Sequence, residues 1–146
     1  MGNKMSCISV RLSESDHSKI KTTAKTLQVR HSDIMRYAIK TTLTRLSAFH
    51  NPELTGPALL PTIIEHCNEL NRHFDLDADK LDNIINAEVI AAGRQVARSD
   101  IELLALCGMP VEIIQQRFRQ VTGIKLKDNE VYQFMKKYLA EKYQSA

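Results

Sequence analysis

The run from Cys7 to Leu12 constrains the fold more than any other segment, because apolar and other side chains alternate along it. Successive side chains of an extended chain point to opposite faces, so one face carries Ile8, Val10 and Leu12. The other face carries Cys7, Ser9 and Arg11. A single strand cannot satisfy its own backbone N–H and C=O groups, and the chain has no second run of this character. The sequence therefore predicts one β-strand that pairs with the same strand of a second copy.

Two helical segments are expected to follow the strand. Ser13 is a hydroxyl N-cap with the acidic Asp16 three positions later, a pattern that stabilises the start of a helix. This helix is predicted to reach Leu27, and Ser32 with Asp33 begins the next one. The second helix has a wide apolar face formed by Ile34, Met35, Ala38, Ile39, Thr42, Leu43 and Leu46. That face is wide enough to be covered by both the first helix and a partner subunit.

With these elements in this order, the segment from Lys4 to Leu46 resembles the ribbon-helix-helix family of Arc, methionine and CopG-type repressors. The resemblance rests on the alternating strand ending in Leu-Ser-Glu and on the run from Ser32 to Ile39. That run reads Ser-acidic-apolar-apolar-Arg-x-Ala-apolar, and the whole match covers under a third of the chain. The chain departs from the family at Gln28, where Gly is frequent, and at Arg30, where Ser or Thr is frequent.

The resemblance implies an intertwined homodimer whose two strands pair and enter the major groove of double-stranded DNA. The residues that would contact bases are Cys7, Ser9 and Arg11. The residues that would contact phosphates are Lys4, Arg30, His31 and Ser32. The dimer core would be formed by Ile8, Val10, Leu12, Ile34, Ala38 and Ile39. Arg11 is the strongest candidate reader, because its guanidinium can grip O6 and N7 of guanine.

Charge is distributed unevenly along the sequence. Residues 1–50 contain nine Lys and Arg residues and three acidic residues, a net charge of +6. The remaining 96 residues contain eleven basic and fourteen acidic residues, a net charge of −3. Because nucleic-acid phosphates attract clustered cations, this asymmetry favours polyanion binding by the N-terminal half.

A domain boundary is expected at residues 50–61, where Pro52, Gly56, Pro57 and Pro61 disfavour helix and strand. We therefore expect a ribbon-helix-helix domain over residues 1–49, a linker over 50–61 and a helical domain over 62–146. The predicted fold class is mainly α, with one β-strand and two helices in the first domain and only helices in the second.

Five helices are predicted in the C-terminal domain from apolar residues at helical spacing. Residues 62–74 and 79–97 form the first two, and the third runs from Ser99 to near Cys107. Pro110 suits the first turn of the fourth, and the last runs from about Asp128 to Leu139. This domain is expected to mediate further oligomerisation or to bind a partner protein.

Part of this domain also resembles a helix-turn-helix, through Leu103, Cys107, Gly108, Met109 and Ile114. Leu104 stands where a small residue is usual, and Arg117 stands where an apolar residue is expected. A plain helical hairpin with a glycine C-cap is the alternative. The basic residues nearby fit either DNA contact or an ordinary solvated surface: Arg117, Arg119, Lys125, Lys127, Lys136 and Lys137.

Metal, cofactor and catalytic sites are not expected. His66 and His73 are two helical turns apart, too far to share one ion. The sequence has no Ser-His-acid set, nucleophile elbow or phosphate-binding loop. Cys7, Cys67 and Cys107 lack a close-paired spacing, so reduced thiols and no disulfide framework are expected.

Taken together, these features predict a sequence-specific transcriptional regulator, expected to be a repressor, that inserts a two-stranded β-ribbon into the DNA major groove as a homodimer. No apolar run is long enough for a signal peptide or a membrane span, so a cytoplasmic location without membrane contact is expected. Two alternatives stay open. One is a plasmid partition or conjugation accessory protein, or an antitoxin, with a partner-binding C-terminal domain. The other is a dimeric adaptor that does not bind DNA.

Overall fold

The computed structural model describes residues 5–90 and 92–143, and the chain divides into two compact units. The first unit spans residues 1–47 and the second unit spans residues 48–146. Throughout the described ranges the regular secondary structure is helical. None of these helices combines the length and the apolar character that a bilayer span requires.

Two helices, α1 (Glu14–Leu27) and α2 (His31–Arg45), form the first unit. The N-cap predicted at Ser13 is confirmed, because its hydroxyl accepts a hydrogen bond from the Asp16 amide at 3.1 Å. Gln28 follows α1 in the left-handed conformation (φ 57°), and its amide donates to the Lys25 carbonyl. Gln28 therefore caps α1 in the conformation that glycine usually supplies.

The β-strand predicted from Cys7 to Leu12, and with it the ribbon-helix-helix fold class, is wrong for this structure. Residues 5–12 form neither helix nor strand, and no β-strand occurs in residues 5–90 or 92–143. A strand exists only where its N–H and C=O groups pair with a neighbouring segment. The chain has no other segment of this type to supply those groups. The mainly α character of the prediction is confirmed.

Five α-helices occur in residues 48–90 and 92–143 of the second unit, with short 3-10 turns before α3, α5 and α7. In chain order they are α3 (Leu60–Phe74), α4 (Ala78–Asn86), α5 (Arg98–Ala105), α6 (Val111–Thr122) and α7 (Val131–Tyr143). Asp77 caps α4, because its carboxylate accepts a hydrogen bond from the Lys80 amide at 2.8 Å. Left-handed residues end α3 at Asp75 and α6 at Gly123. Caps and apolar spacing thus explain where these helices lie.

One apolar core joins the five helices of the second unit. Its completely buried side chains from α5, α6 and α7 are Ile101, Leu103, Leu104, Ile114, Phe118, Val131, Met135 and Leu139. The rings of Phe118 and Tyr138 meet edge-on, with centroids 5.6 Å apart. Burial of one such aliphatic or aromatic side chain contributes about 1.5–3 kcal/mol. The second unit therefore has a hydrophobic core of its own.

α4 ends at Asn86, whereas the apolar spacing predicted a helix to about Ala97. The Asn86 side chain bonds both backbone groups of Val96: its oxygen accepts from the Val96 amide at 2.9 Å, and its nitrogen donates to the Val96 carbonyl at 3.0 Å. Val96 is buried in the core. The chain after Asn86 therefore turns back to the end of α4 and does not extend the helix.

Residues 50–61, expected to be a linker, lie within the second unit. Gly56–Leu59 form a 3-10 turn directly before α3, and Gly56 is buried with φ +59°. A Cβ at Gly56 would lie 2.9 Å from the Val89 side chain and 3.2 Å from the Arg94 carbonyl oxygen. Glycine is required for this approach of backbone segments. The Pro and Gly residues therefore build a packed turn at this point.

A buried carboxylate ties the start of α5 to the end of α7. Asp100 is completely buried and accepts hydrogen bonds from the hydroxyls of Tyr138, at 2.9 Å, and Tyr143. The Lys142 ammonium lies 2.8 Å from the same carboxylate. The Tyr143 hydroxyl in turn accepts a hydrogen bond from the Ala97 amide at 2.9 Å. A buried carboxylate is tolerated only with partners of this kind, so the network fixes α7 against α5.

Candidate nucleic-acid interface

The predicted base-contacting residues Cys7, Ser9 and Arg11 lie in the segment before α1, and all three are exposed. Within the part of the chain that the structure describes, the Arg11 guanidinium has no ion-pair or hydrogen-bond partner. Its five N–H donors are therefore available to an external acceptor. Ser9 can donate or accept a hydrogen bond, and Cys7 offers a weak donor or a small apolar contact.

The predicted dimer core is uncovered in the single chain. All six of its residues are exposed or half-buried: Ile8, Val10, Leu12, Ile34, Ala38 and Ile39. Exposure reaches 84% at Ile8 and 54% at Ile39, whereas Ala24 is the one buried residue among those described in the first unit. A unit of this size is marginally stable even with a packed core, and the described residues of this unit leave most of their apolar side chains exposed to water. We therefore expect another molecule to cover this apolar face.

Arg30, a predicted phosphate contact, is paired with an acidic residue inside the same helix turn. It is the N-cap of α2, and its guanidinium contacts the Asp33 carboxylate through Nη2 at 3.1 Å and Nε at 3.2 Å. The Arg30 amide also donates to Asp33 at 3.0 Å, and Arg36 Nη1 lies 3.5 Å from the same carboxylate. The hydrogen bonds from Arg30 hold the pKa of Asp33 below its usual range. One carboxylate thus holds two arginines at the start of α2.

This role of Asp33 was not predicted from the sequence. The sequence pattern places Asp33 at the start of a helix and at the acidic position of the run from Ser32 to Ile39, and it assigns Asp33 no arginine partner. The informative signal is its spacing, because Arg30 lies three residues before it and Arg36 three residues after it. Residues three apart on a helix are neighbours, so one acid can hold both cations.

His31 and Ser32 lie in the first turn of α2, where His31 is exposed and Ser32 is half-buried. The His31 ring meets the His17 ring of α1 edge-on, with centroids 6.4 Å apart. Amides in the first turn of a helix and the helix dipole both favour an anion. Lys4, the remaining predicted phosphate contact, lies outside the described residues.

The helical pair α5 and α6 retains part of the helix-turn-helix pattern. Three of the motif residues are buried: Leu103, Cys107 and Ile114. Gly108 lies between the helices with φ +94°, and Met109 is 46% exposed. Arg117 is half-buried because it forms an ion pair with Glu102 of α5 at 3.2 Å. A charge pair therefore occupies the place where the motif has an apolar contact.

Cys67 and Cys107, far apart in sequence, meet in the core of the second unit. Each is 2% exposed, and the interaction between the two thiols lowers the pKa of Cys67. This contact and burial raise the pKa of Cys107, so its thiol stays protonated. Cys7 is exposed. In residues 5–90 and 92–143, no three His, Cys, Asp or Glu side chains are placed to hold a metal ion.

Comparison with known proteins adds no relative. No protein-family model, curated protein or solved structure matches this chain. What the first unit binds is therefore inferred from its residues, their exposure and their charge.

Proposed function

We propose that this protein is a dimeric, sequence-specific DNA-binding regulator of transcription that contacts DNA through its first unit. The proposal is carried by one observation, the coincidence of charge and uncovered apolar surface in this unit. Residues 1–47 hold a net charge of +6 and bury, among those described, only Ala24. Cations attract the DNA backbone, and an uncovered apolar face favours association with a second copy.

Sequence reading is assigned to the segment before α1. Arg11 is the principal reader, because a guanidinium pairs with both acceptors on the major-groove edge of guanine. Ser9 and Cys7 supply weaker contacts from the same exposed segment. Arginine at this position also adds positive charge close to the phosphate backbone.

Register on the DNA is assigned to the start of α2. His31 and Ser32 lie where helix amides can bind a phosphate, and Arg30 lies at the N-cap. These contacts orient a protein on the duplex and carry no sequence information. The run from Ser32 to Ile39 supports this assignment through its resemblance to ribbon-helix-helix repressors, although residues 5–12 do not form the strand of that family.

The second unit is assigned a different task, further assembly or the binding of a partner protein. It has its own core of five helices and a net charge that is negative over residues 51–146. A separately packed unit can join dimers on adjacent sites without entering the groove. Repression follows if the assembled dimers cover a promoter.

The test compares the full-length protein with its Arg11→Ala variant. A duplex is first selected from random sequences by binding to the wild-type protein. Affinity is then measured at fixed salt for this duplex and for a random-sequence duplex. Because one bidentate contact discriminates bases by about 1–3 kcal/mol, we expect Arg11→Ala to lower the ratio of the two affinities by about 5- to 150-fold.

Lys21→Ala is the matched control, because it removes one positive charge from an exposed position of α1. It should weaken binding to both duplexes similarly and leave the ratio unchanged. An unchanged ratio for Arg11→Ala would contradict the assignment of base reading to this segment. If the wild-type protein selects no duplex, the dimeric adaptor becomes the better account.

A further inference from the structure

Helix α6 in the second unit is held rigidly on its inner side. Ile114 and Phe118 are completely buried in the core. Arg117 pairs with Glu102 of α5 at 3.2 Å, and the side-chain Nε2 of Gln115 donates a hydrogen bond to the Leu126 carbonyl at 3.1 Å. The helix backbone is therefore fixed on the unit, and its opposite side is presented in one orientation.

The exposed side of α6, which we name the α6 outer face, consists of Glu112, Ile113, Gln116, Arg119 and Gln120. At 100° per residue these five positions fall within about 120° of the helix circumference. In the described residues, the side chains of Gln116, Arg119 and Gln120 have no hydrogen-bond or ion-pair partner. Three side chains with planar hydrogen-bonding groups are thus available on one face.

Two shallow clefts border this face. Gln116, Arg119 and Lys125 line one cleft of about 240 Å³, so a second cation lies beside Arg119. Gln116 and Gln120 line the other, of about 220 Å³. Arg117 also lines the second cleft and Glu112 the first, so Gln116 lies between two clefts that each carry a net charge of +1.

Charge is also divided within the second unit. Residues 48–110 contain four basic and ten acidic residues, a net charge of −6. Residues 111–146 contain seven basic and four acidic residues, a net charge of +3. The positive charge of the unit is thus concentrated in the segment that contains α6 and α7, where it complements a polyanion.

We infer that the α6 outer face is a second double-stranded DNA contact surface, separate from the first unit. The major groove is wide enough for an α-helix, glutamine pairs with adenine, and arginine pairs with guanine. Arg119 and Lys125 can contact phosphates at the edge of the groove. An acidic protein surface would complement the positive charge of residues 111–146, but it would not explain the exposed glutamines on this face. This inference goes beyond the proposed function, because it does not require the first unit to bind DNA.

The experiment measures binding of a random-sequence duplex by the full chain over a range of salt concentrations. Arg119→Glu is compared with Arg94→Glu, an equal charge reversal at an exposed position of the acidic segment. Because loss of one phosphate contact lowers the salt slope by about one, we expect Arg119→Glu to reduce that slope and to weaken binding about tenfold more than Arg94→Glu. Gln116→Ala should lower affinity without changing the salt slope.

Arg119→Glu and Arg94→Glu are repeated in the Arg11→Ala protein. Unchanged thermal unfolding curves confirm that the variants fold. If Arg119→Glu unfolds the chain, Arg119→Ala combined with Lys125→Ala replaces it. Equal effects of Arg119→Glu and Arg94→Glu overturn the inference, whatever Arg11→Ala does. Competition by poly-glutamate that equals competition by the duplex also overturns it, because the face would then recognise charge alone. A loss specific to Arg119→Glu, of the same size in the wild-type and the Arg11→Ala protein, supports the α6 outer face, while base reading by the first unit is tested separately by the ratio of affinities for the selected and random duplexes.

Discussion

The hydroxyl of Tyr138 on α7 donates a hydrogen bond of 2.9 Å to the completely buried carboxylate of Asp100 on α5. Tyr143 and Lys142 of α7 bond the same carboxylate. The predicted third helix begins at Ser99, next to Asp100, and local spacing does not connect Asp100 with the end of the chain. The stability of the second unit therefore depends on one buried acid whose partners lie about forty positions away.

Replacing Asp100 with Ala should destabilise the second unit. The substitution removes the acceptor of two hydroxyls and one ammonium, and one unsatisfied buried partner costs about 1–3 kcal/mol. Urea unfolding followed by tyrosine fluorescence measures the loss. Asp79→Ala is the control, because the Asp79 side chain is 86% exposed although it pairs with Arg98 at 2.7 Å. A surface pair contributes about 0–1 kcal/mol, so equal losses in the two variants would contradict the role of the network.

Stability should also fall at alkaline pH through the same network. Burial and the hydrogen bond to Asp100 raise the pKa of Tyr143 to about 12, from an ordinary value near 10. A pKa higher in the folded than in the unfolded chain gives stability that is complete below about pH 10 and is lost as pH rises through about 12. Tyr143→Phe should flatten this decrease in urea midpoint between pH 10 and pH 12. The same slope in both proteins would exclude Tyr143 as the source.

The apolar face of α2 should control association. The substitution Ile39→Asp changes stability little if residue 39 is in contact with water, but it destabilises an interface at this position because it buries a charge. We expect Ile39→Asp to shift the protein toward monomer in sedimentation velocity and to lower its helicity. Thr41→Asp introduces the same charge about 200° around the helix and should do neither. Identical mass and helicity for both variants would show that this face stays uncovered in solution.

Asp33 should limit the DNA affinity of the first unit. Asn at this position keeps an acceptor for the Arg30 amide but loses the charge that holds Arg30 and Arg36. Asp33→Asn should therefore raise affinity for a random-sequence duplex and steepen its salt dependence. Asp16→Asn makes the same charge change in α1 and should raise affinity less. Equal gains would mean that net charge alone matters.

Local signals predicted much of the helical structure. The Ser13 cap acts on an amide three residues away, so it could be inferred from adjacent residues alone. The prediction of a strand from Cys7 to Leu12 was wrong because a strand needs a partner segment. Alternating apolar residues cannot show whether such a segment is present. α4 was predicted too long because its end depends on Asn86 bonding Val96, a contact between residues ten positions apart.

The candidate site was predicted less completely than the helices. The exposure of Arg11 agrees with its residue type. The ion pair of Arg30 with Asp33 is indicated in the sequence only by the three-residue spacing of the two side chains. The meeting of Cys67 with Cys107 depends on the packing of α3 against α5. Contacts between distant segments follow from the tertiary fold and are not encoded in local periodicity.

The first unit buries only Ala24 among its described residues, and this has a consequence for gene dosage. If a second copy covers the apolar face, this unit folds and dimerises in one equilibrium. While dimers are scarce, the number of folded dimers that can bind DNA then rises with the square of the protein copy number. A cell with few molecules would then hold almost no binding-competent form. Doubling synthesis would increase occupancy about fourfold in this regime, so the protein would respond to its own abundance with a threshold.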